Sequence, residues 1–337
     1  MGRRLAGVWV LLLMSLPACG PGGQERGAEL GAVGDARDGF TVGLLLPGDG
    51  PDRLLFTRSL ASLCPSCDVR YANAAGDQAR QGRQVGQMLA DGVRVLVLGP
   101  VDPGAAAPLV ARAKLAGAKV VAYDRLANGP VDAYVATDPA RVGRAQALAL
   151  LDAMKVAGPV LLVNGPAADP YAAAVKRGLH AVLDGRVTIG WERDLTRPGD
   201  VRGEVAAAVA ALGGAAAKVA GVCSTSEGTA EYVAAEMAKA GLAGVPLIGY
   251  EARPGRAGPR TVTVRTDVAA QAAAAARLAV EVAGGRTVYG TAVVSNGTTV
   301  SIPAVLVPPA VVTRPEAAGP PAPTPPGTAP RQGVRPH

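Results

Sequence analysis

Residues 93–125 read VRVLVLGPVDPGAAAPLVARAKLAGAKVVAYDR. Two short runs rich in Val and Leu, 93–98 and 119–123, enclose an Ala-rich stretch with room for one helix. Asp102-Pro103 marks where that helix begins. Asp accepts hydrogen bonds from the free N–H groups of a first turn, and Pro takes the first helical position without losing one. Strand, helix and strand in this spacing form a βαβ unit, with parallel strands and a right-handed crossover.

The unit repeats outward in both directions. Further strand-like runs stand at 41–46, 69–72, 133–136, 160–163, 187–191, 219–223, 246–249 and 261–265, with helical stretches at 140–154, 172–183, 201–212 and 229–240. The Asp-Pro junction recurs at Asp138-Pro139 and Asp169-Pro170, and Ser224-Thr225-Ser226-Glu227 has the spacing of a capping box. The expected fold class is α/β, built on doubly wound parallel sheets.

A chain of 337 residues has the length of two globular units, and 49% hydrophobic residues give them a sizeable core. Four of the seven net positive charges lie at the two ends, in Arg3 and Arg4 and in Arg314, Arg331 and Arg335 against Glu316. The middle is close to neutral, which excludes a basic nucleic-acid face. With only His180 and His337, the second being the last residue, histidine-based zinc sites and serine–histidine triads are disfavoured too. No metal, cofactor or phosphate-loop motif appears, so any function must come from carboxylates, Arg, amides, backbone groups or cysteines.

Residues 1–19 carry two arginines, an apolar run and then small residues, the order of a secretory signal. Leu16-Pro17-Ala18-Cys19 resembles the lipobox of bacterial lipoproteins, which implies acylation of Cys19; the other reading is an ordinary signal with an incidental cysteine. Residues 20–39 read as a flexible tether and 314–337, rich in Pro, as a disordered tail. Export implies an oxidising compartment, so Cys64-Pro65-Ser66-Cys67 is either a redox motif or a structural disulfide. Its place after an apolar helix and before a strand favours the disulfide. Cys223, ending a strand pattern, is expected as a buried free thiol.

Val42-Gly43-Leu44-Leu45-Leu46-Pro47, Leu63-Cys64-Pro65-Ser66-Cys67, residues 91–98 and Val121-Ala122-Tyr123-Asp124-Arg125-Leu126 occur in that order. They are followed by Val163-Asn164-Gly165-Pro166, Gly249-Tyr250-Glu251, Val294-Ser295-Asn296-Gly297 and Ile302-Pro303-Ala304-Val305-Leu306. This set resembles the xylose-type sugar-binding lipoproteins of bacterial ABC importers over residues 40–313. The resemblance implies two doubly wound lobes, the type I periplasmic-binding-protein arrangement, joined by three chain crossings with the ligand between them. Crossings are expected near 126–136, just after Glu251, and near 287–293. Lobe one would then be 40–127 plus 252–285, and lobe two 128–251 plus 286–313.

The resemblance also names the binding residues. Asp124-Arg125 matches the family's strand-end Asp-Arg pair, and Glu251 stands where the family has Asp. Glu227 falls at a strand end where the family has Asn-Asp, Tyr171 and Tyr250 are the aromatics placed to face a cleft, and Thr266 replaces a family lysine with Arg265 beside it. The loop after the first strand, residues 48–53, is shorter than the family's, and Asp138 and Asp169 occupy asparagine positions as helix caps. The resemblance therefore implies an exported, lipid-anchored and monomeric solute-binding protein, taking a sugar or another small polar solute and delivering it to an ABC permease. The altered loops keep open a second reading, a degenerate homologue that has lost sugar binding and presents an interaction or sensor surface. A third, a thiol oxidoreductase using Cys64 and Cys67, is disfavoured by the placement of the motif.

Overall fold

A computed structural model describes residues 39–312 apart from 168, 215–217, 227, 252–261 and 300. The expected signal, the tether up to residue 38, Cys19, Glu227 and the Pro-rich tail lie outside the described residues.

The strands form two sheets. The first holds β1 (Thr41–Leu46), β2 (Asp68–Asn73), β3 (Val95–Leu98), β4 (Lys119–Tyr123), β5 (Ala133–Thr137), β11 (Ala292–Val294) and β12 (Ile302–Val307), in the order β11-β12-β5-β4-β3-β1-β2. The second holds β6 (Val160–Asn164), β7 (Ile189–Asp194), β8 (Gly221–Ser224), β9 (Leu247–Glu251), β10 (Val262–Arg265) and β13 (Ala310–Val312), in the order β13-β10-β9-β8-β6-β7. Only the edge pairs β11–β12 and β10–β13 are antiparallel. The central strands are mostly apolar, with their polar residues at the ends, because helices cover both faces of each sheet. All four residues of β3, for example, are fully buried.

Helices α1 (Asp52–Leu63) and α8 (Val268–Ala283) cover one face of the first sheet, where Phe56 and Leu60 meet a row of α8 alanines over Leu44, Val97 and Val121. On the other face lie α2 (Gln78–Ala90) and α3 (Ala107–Leu115). The second sheet is covered by α4 (Pro139–Ala153) and α5 (Pro170–Leu183) on one side and by α6 (Glu204–Ala211) and α7 (Thr229–Lys239) on the other. Asp138 accepts a hydrogen bond from Arg141 N–H at 3.0 Å, Asp169 one from Tyr171 N–H at 2.9 Å and Asp102 one from Gly104 N–H at 2.8 Å, so all three Asp-Pro caps form.

Two local expectations change. The helix expected at 201–212 is a short 3-10 turn, Pro198–Val201, followed by α6, because Gly203 adopts φ 77° between them. Ser224 is the last residue of β8 rather than a helix cap, and α7 starts after Gly228 at φ 73°. Cys64 and Cys67 are joined in a disulfide that closes the turn from α1 to β2, and Cys223 is free and fully buried.

The pairing partners also move the lobe boundaries. Strand β5 was expected in lobe two, yet it pairs in parallel with β4 (Val121↔Ala133) and joins the first sheet. No helix separates these two parallel strands, which is why the intervening loop resembles a hinge in the sequence. The Asp132 carboxylate folds that loop back, accepting from Val120 N–H at 2.8 Å and from Lys114 at 2.7 Å. Strand β10 was expected in lobe one but pairs with β9 in the second sheet, whereas β11 and β12, expected in lobe two, belong to the first. The chain passes between sheets after Thr137, again between β10 and α8 at Thr266, and last between β12 and β13.

Candidate functional site

In open parallel sheets the C-terminal strand ends face the ligand crevice. At the end of β4, Asp124 N–H donates to Val135 O at 2.8 Å and Arg125 N–H to Tyr123 O at 2.7 Å. That two-residue closure turns the chain tightly with Asp124 at φ 65°. Left-handed backbone costs a residue with a Cβ about 1–2 kcal/mol, which Asp tolerates better than most. Such strain concentrates where a side chain must be aimed.

From Asp124 a chain of hydrogen bonds runs across two of the crossings. Its carboxylate accepts from Gln271 Nε2 at 3.3 Å, and Gln271 Oε1 lies 3.2 Å from Thr137 Oγ1. Thr137, ending β5, meets Thr266 Oγ1 at 3.0 Å, and Thr266 meets Tyr250 OH at 3.2 Å. Tyr250 OH then meets Tyr171 OH at 3.0 Å, the two rings standing 6.5 Å apart. Thr137, Thr266 and Gln271 are buried polar groups, and each finds its partner in this chain. Burial and the neighbouring Tyr250 hold the Tyr171 hydroxyl well above the usual phenol range, so it stays protonated.

The structure thus brings Asp124, Tyr250 and Tyr171 into one network. Arg125 points elsewhere: exposed, it donates to Val101 O at 2.7 Å across the ends of β3 and β4. Glu251 and Arg265 share a register position on β9 and β10, at the ends of their strands. Glu227 lies outside the described residues.

Sequence reading missed Gln271, Thr137 and the first sheet's own polar wall. Tyr123 OH donates to Asp52 at 2.6 Å, and Tyr71 OH donates to Asp49 at 3.0 Å with the Arg53 guanidinium 4.7 Å above its ring. Burial and the Asp49 carboxylate push the Tyr71 hydroxyl up to about 12. Gln271 was legible in one respect: it is a lone uncharged polar residue in an Ala-rich helical stretch, where an amide needs a buried partner.

A separate groove of about 340 Å³ lies beside α5 and the edge strand β7, lined among others by Asn164, Ala172, Lys176, His180, Glu192 and Asp194. Its charges neutralise one another: Lys176 reaches Asp194 at 2.9 Å and Glu192 at 3.2 Å, and His180 reaches Glu192 at 3.0 Å and Asp184 at 2.9 Å. Asn164 Nδ2 donates to Glu192 at 2.6 Å and Asp194 at 3.0 Å, which fastens the ends of β6 and β7 together. Burial disfavours the charged form of His180, but hydrogen bonds to Glu192 and Asp184 outweigh it and raise its pKa. A raised folded-state pKa means stability that is full below the unfolded value of 6.5 and is lost as pH rises through the folded value. The melting temperature is therefore expected to fall as pH rises above 6.5, and His180→Gln to flatten that slope. Equal slopes in calorimetric melts of the two proteins would refute the assignment. Among the described residues no group of three His, Cys, Asp or Glu side chains is arranged to hold a metal ion.

Known proteins match this architecture. Over 268 residues the chain is 30% identical to the D-xylose-binding periplasmic protein of Escherichia coli, covering 73% of this chain and 77% of that protein. A carbohydrate transporter solute-binding protein from Chloroflexus aurantiacus, solved in complex with D-glucose, is 26% identical with a TM-score of 0.61, over 82% of this chain and 93% of that one. The periplasmic ribose ABC transporter structure from Conexibacter woesei shares the fold at 17% identity, with a TM-score of 0.65 over 83% of this chain and 93% of that one. With the periplasmic binding protein domain model matching residues 65–287 as well, the chain belongs to the periplasmic binding protein family.

Proposed function

We propose that this protein is the extracytoplasmic solute-binding component of an ABC importer and that it takes a sugar between the strand ends of its two sheets. The family is one of binding proteins outside the cytoplasm; the Escherichia coli relative is a D-xylose-binding protein, and the Chloroflexus aurantiacus relative was solved in complex with D-glucose. The observation that carries the reading is the meeting of Asp124 from the first sheet with Tyr250 and Tyr171 from the second in one hydrogen-bonded network across the crossings. A sugar presents neighbouring hydroxyls and an apolar ring face. Asp124, Glu251 and Arg265 supply planar groups that pair with hydroxyls, while Tyr171 and Tyr250 supply aromatic faces. Hinge motion at the crossings would close the lobes on the ligand. Cys19, as the acylated first residue of the mature protein, would keep it on the membrane beside its permease.

A thermal-shift panel of pentoses, hexoses, polyols and small acids tests this reading. A ligand at a hundred times its Kd stabilises the folded state by about 2.7 kcal/mol, a rise of about 5–10 °C for a domain of this size class. A panel in which no sugar or polyol moves the melting temperature would overturn it.

A further inference from the structure

We propose that Gln271 is the positioning residue of this site: it holds the Asp124 carboxylate and couples it, through Thr137 and Thr266, to the Tyr250–Tyr171 pair on the second sheet. The inference rests on the sugar-binding reading for its consequence, but the coupling itself is a property of the protein without ligand.

The donor nearest Asp124 is fixed by its chemistry. A carboxylate only accepts, so the amide that meets Asp124 at 3.3 Å is the NH₂ of Gln271. Its oxygen then faces Thr137 at 3.2 Å and must receive a proton from it. Thr137 is also the donor in its 3.0 Å contact with Thr266, so its one hydroxyl proton is shared between Gln271 and Thr266. Thr266 and Tyr250 meet at 3.2 Å and Tyr250 and Tyr171 at 3.0 Å, contacts in which either hydroxyl can donate. The hydroxyls of Thr137, Thr266, Tyr250 and Tyr171 thus form one unbroken hydrogen-bonded chain from Gln271 to the second lobe, and bonds linked in this way polarise one another.

Gln271 is the branch point. Its amide also hydrogen-bonds the Tyr123 hydroxyl, opposing the rise that burial and Asp52 impose on that group. Tyr123 donates in turn to Asp52 at the start of α1 at 2.6 Å. One side chain, 1% exposed in the first turn of α8, therefore sets the rotamer of Asp124, anchors the wall of the first sheet and reads the two crossing threonines. It needs no contact with the ligand to do so. A carboxylate accepts more than one hydrogen bond, so Gln271 keeps Asp124 aimed at a sugar hydroxyl without giving way to it.

Gln271→Glu and Gln271→Leu test this by calorimetric titration with D-xylose and D-glucose between pH 5 and pH 8. The glutamate puts a second carboxylate against Asp124, and two carboxylates in one site raise the pKa of one of them. The expected result for Gln271→Glu is a loss of at least tenfold in affinity at pH 8 that recovers toward the wild-type value at pH 5, where the introduced side chain, once protonated, donates as the amide did. Gln271→Leu is expected to lose at least tenfold at every pH. A Gln271→Glu profile parallel to wild type, or a Gln271→Leu affinity within twofold of it, would overturn the proposal. If neither sugar titrates into the wild-type protein, thermal melts of Gln271→Leu, Thr266→Val and the double variant still decide. Breaking one relay twice costs less than the sum of two separate breaks, so the double variant should lose clearly less than the two single losses combined, whereas additive losses would show that the two residues are independent. Failure of the titration with a non-additive melt refutes the sugar reading and leaves the relay standing.

Discussion

Asp124→Gly is expected to reduce sugar affinity by about ten- to a hundredfold while leaving the melting temperature within a few degrees of wild type. The first half rests on the loss of a charged hydrogen-bond acceptor, about 1.5–3 kcal/mol where the partner is left buried and unpaired. The second half rests on the backbone. Asp124 sits at φ 65°, a conformation glycine adopts without strain, so the relief offsets much of the lost hydrogen bond to Gln271. Asp124→Asn separates charge from shape, because asparagine tolerates the same backbone and keeps one acceptor. It should bind better than the glycine variant and worse than wild type. Calorimetry and melting curves on the three proteins check this, and a glycine variant with wild-type affinity would remove Asp124 from the site.

Gly143→Ala and Gly178→Ala are expected to destabilise the second lobe by about 1–3 kcal/mol each, despite the helix propensity alanine brings. On an exposed helix the same change gains about 0.5–1 kcal/mol. Here α4 and α5 lie backbone to backbone: a Cβ at Gly143 would land on the Val175 carbonyl oxygen, and one at Gly178 on the Ala140 carbonyl oxygen. Neither obstacle is a side chain that can swing away, so the helices must separate. The effect reaches the site, because α5 carries Tyr171 in its first turn and its displacement draws the Tyr171 hydroxyl away from Tyr250. A thermal melt should register a drop of several degrees for either variant, and sugar affinity should fall with it. A rise in melting temperature for Gly178→Ala would mean that the two helices are not held this closely.

The strands were legible because buried parallel strands announce themselves as continuous apolar runs: those expected at 41–46 and 119–123 coincide with β1 and β4. The Asp-Pro caps were legible for the same local reason, the chemistry of a first turn being written in adjacent residues. The crossings were not, since which sheet a strand joins depends on a partner far away in sequence. Strand β5 sits beside β12, some 170 residues further on, and nothing within 133–137 says so. The site divides along the same line. Asp124 and Tyr250 mark themselves by standing at strand ends, whereas Gln271 and Thr137 acquire meaning only when α8, which comes after a strand of the second sheet, packs back on the first. The Asp49–Tyr71 and Asp52–Tyr123 pairs were hidden likewise, each joining residues of separate elements.

The central claim is that a sugar binds between Asp124 and the Tyr171–Tyr250 pair. The most direct measurement is a crystal structure of the protein with the best sugar from the thermal-shift panel. The expected result is density for one sugar hydrogen-bonded to the Asp124 carboxylate, with the Tyr171 and Tyr250 side chains on its other side. A sugar seated instead in the groove beside α5, against Lys176 and His180, would contradict it.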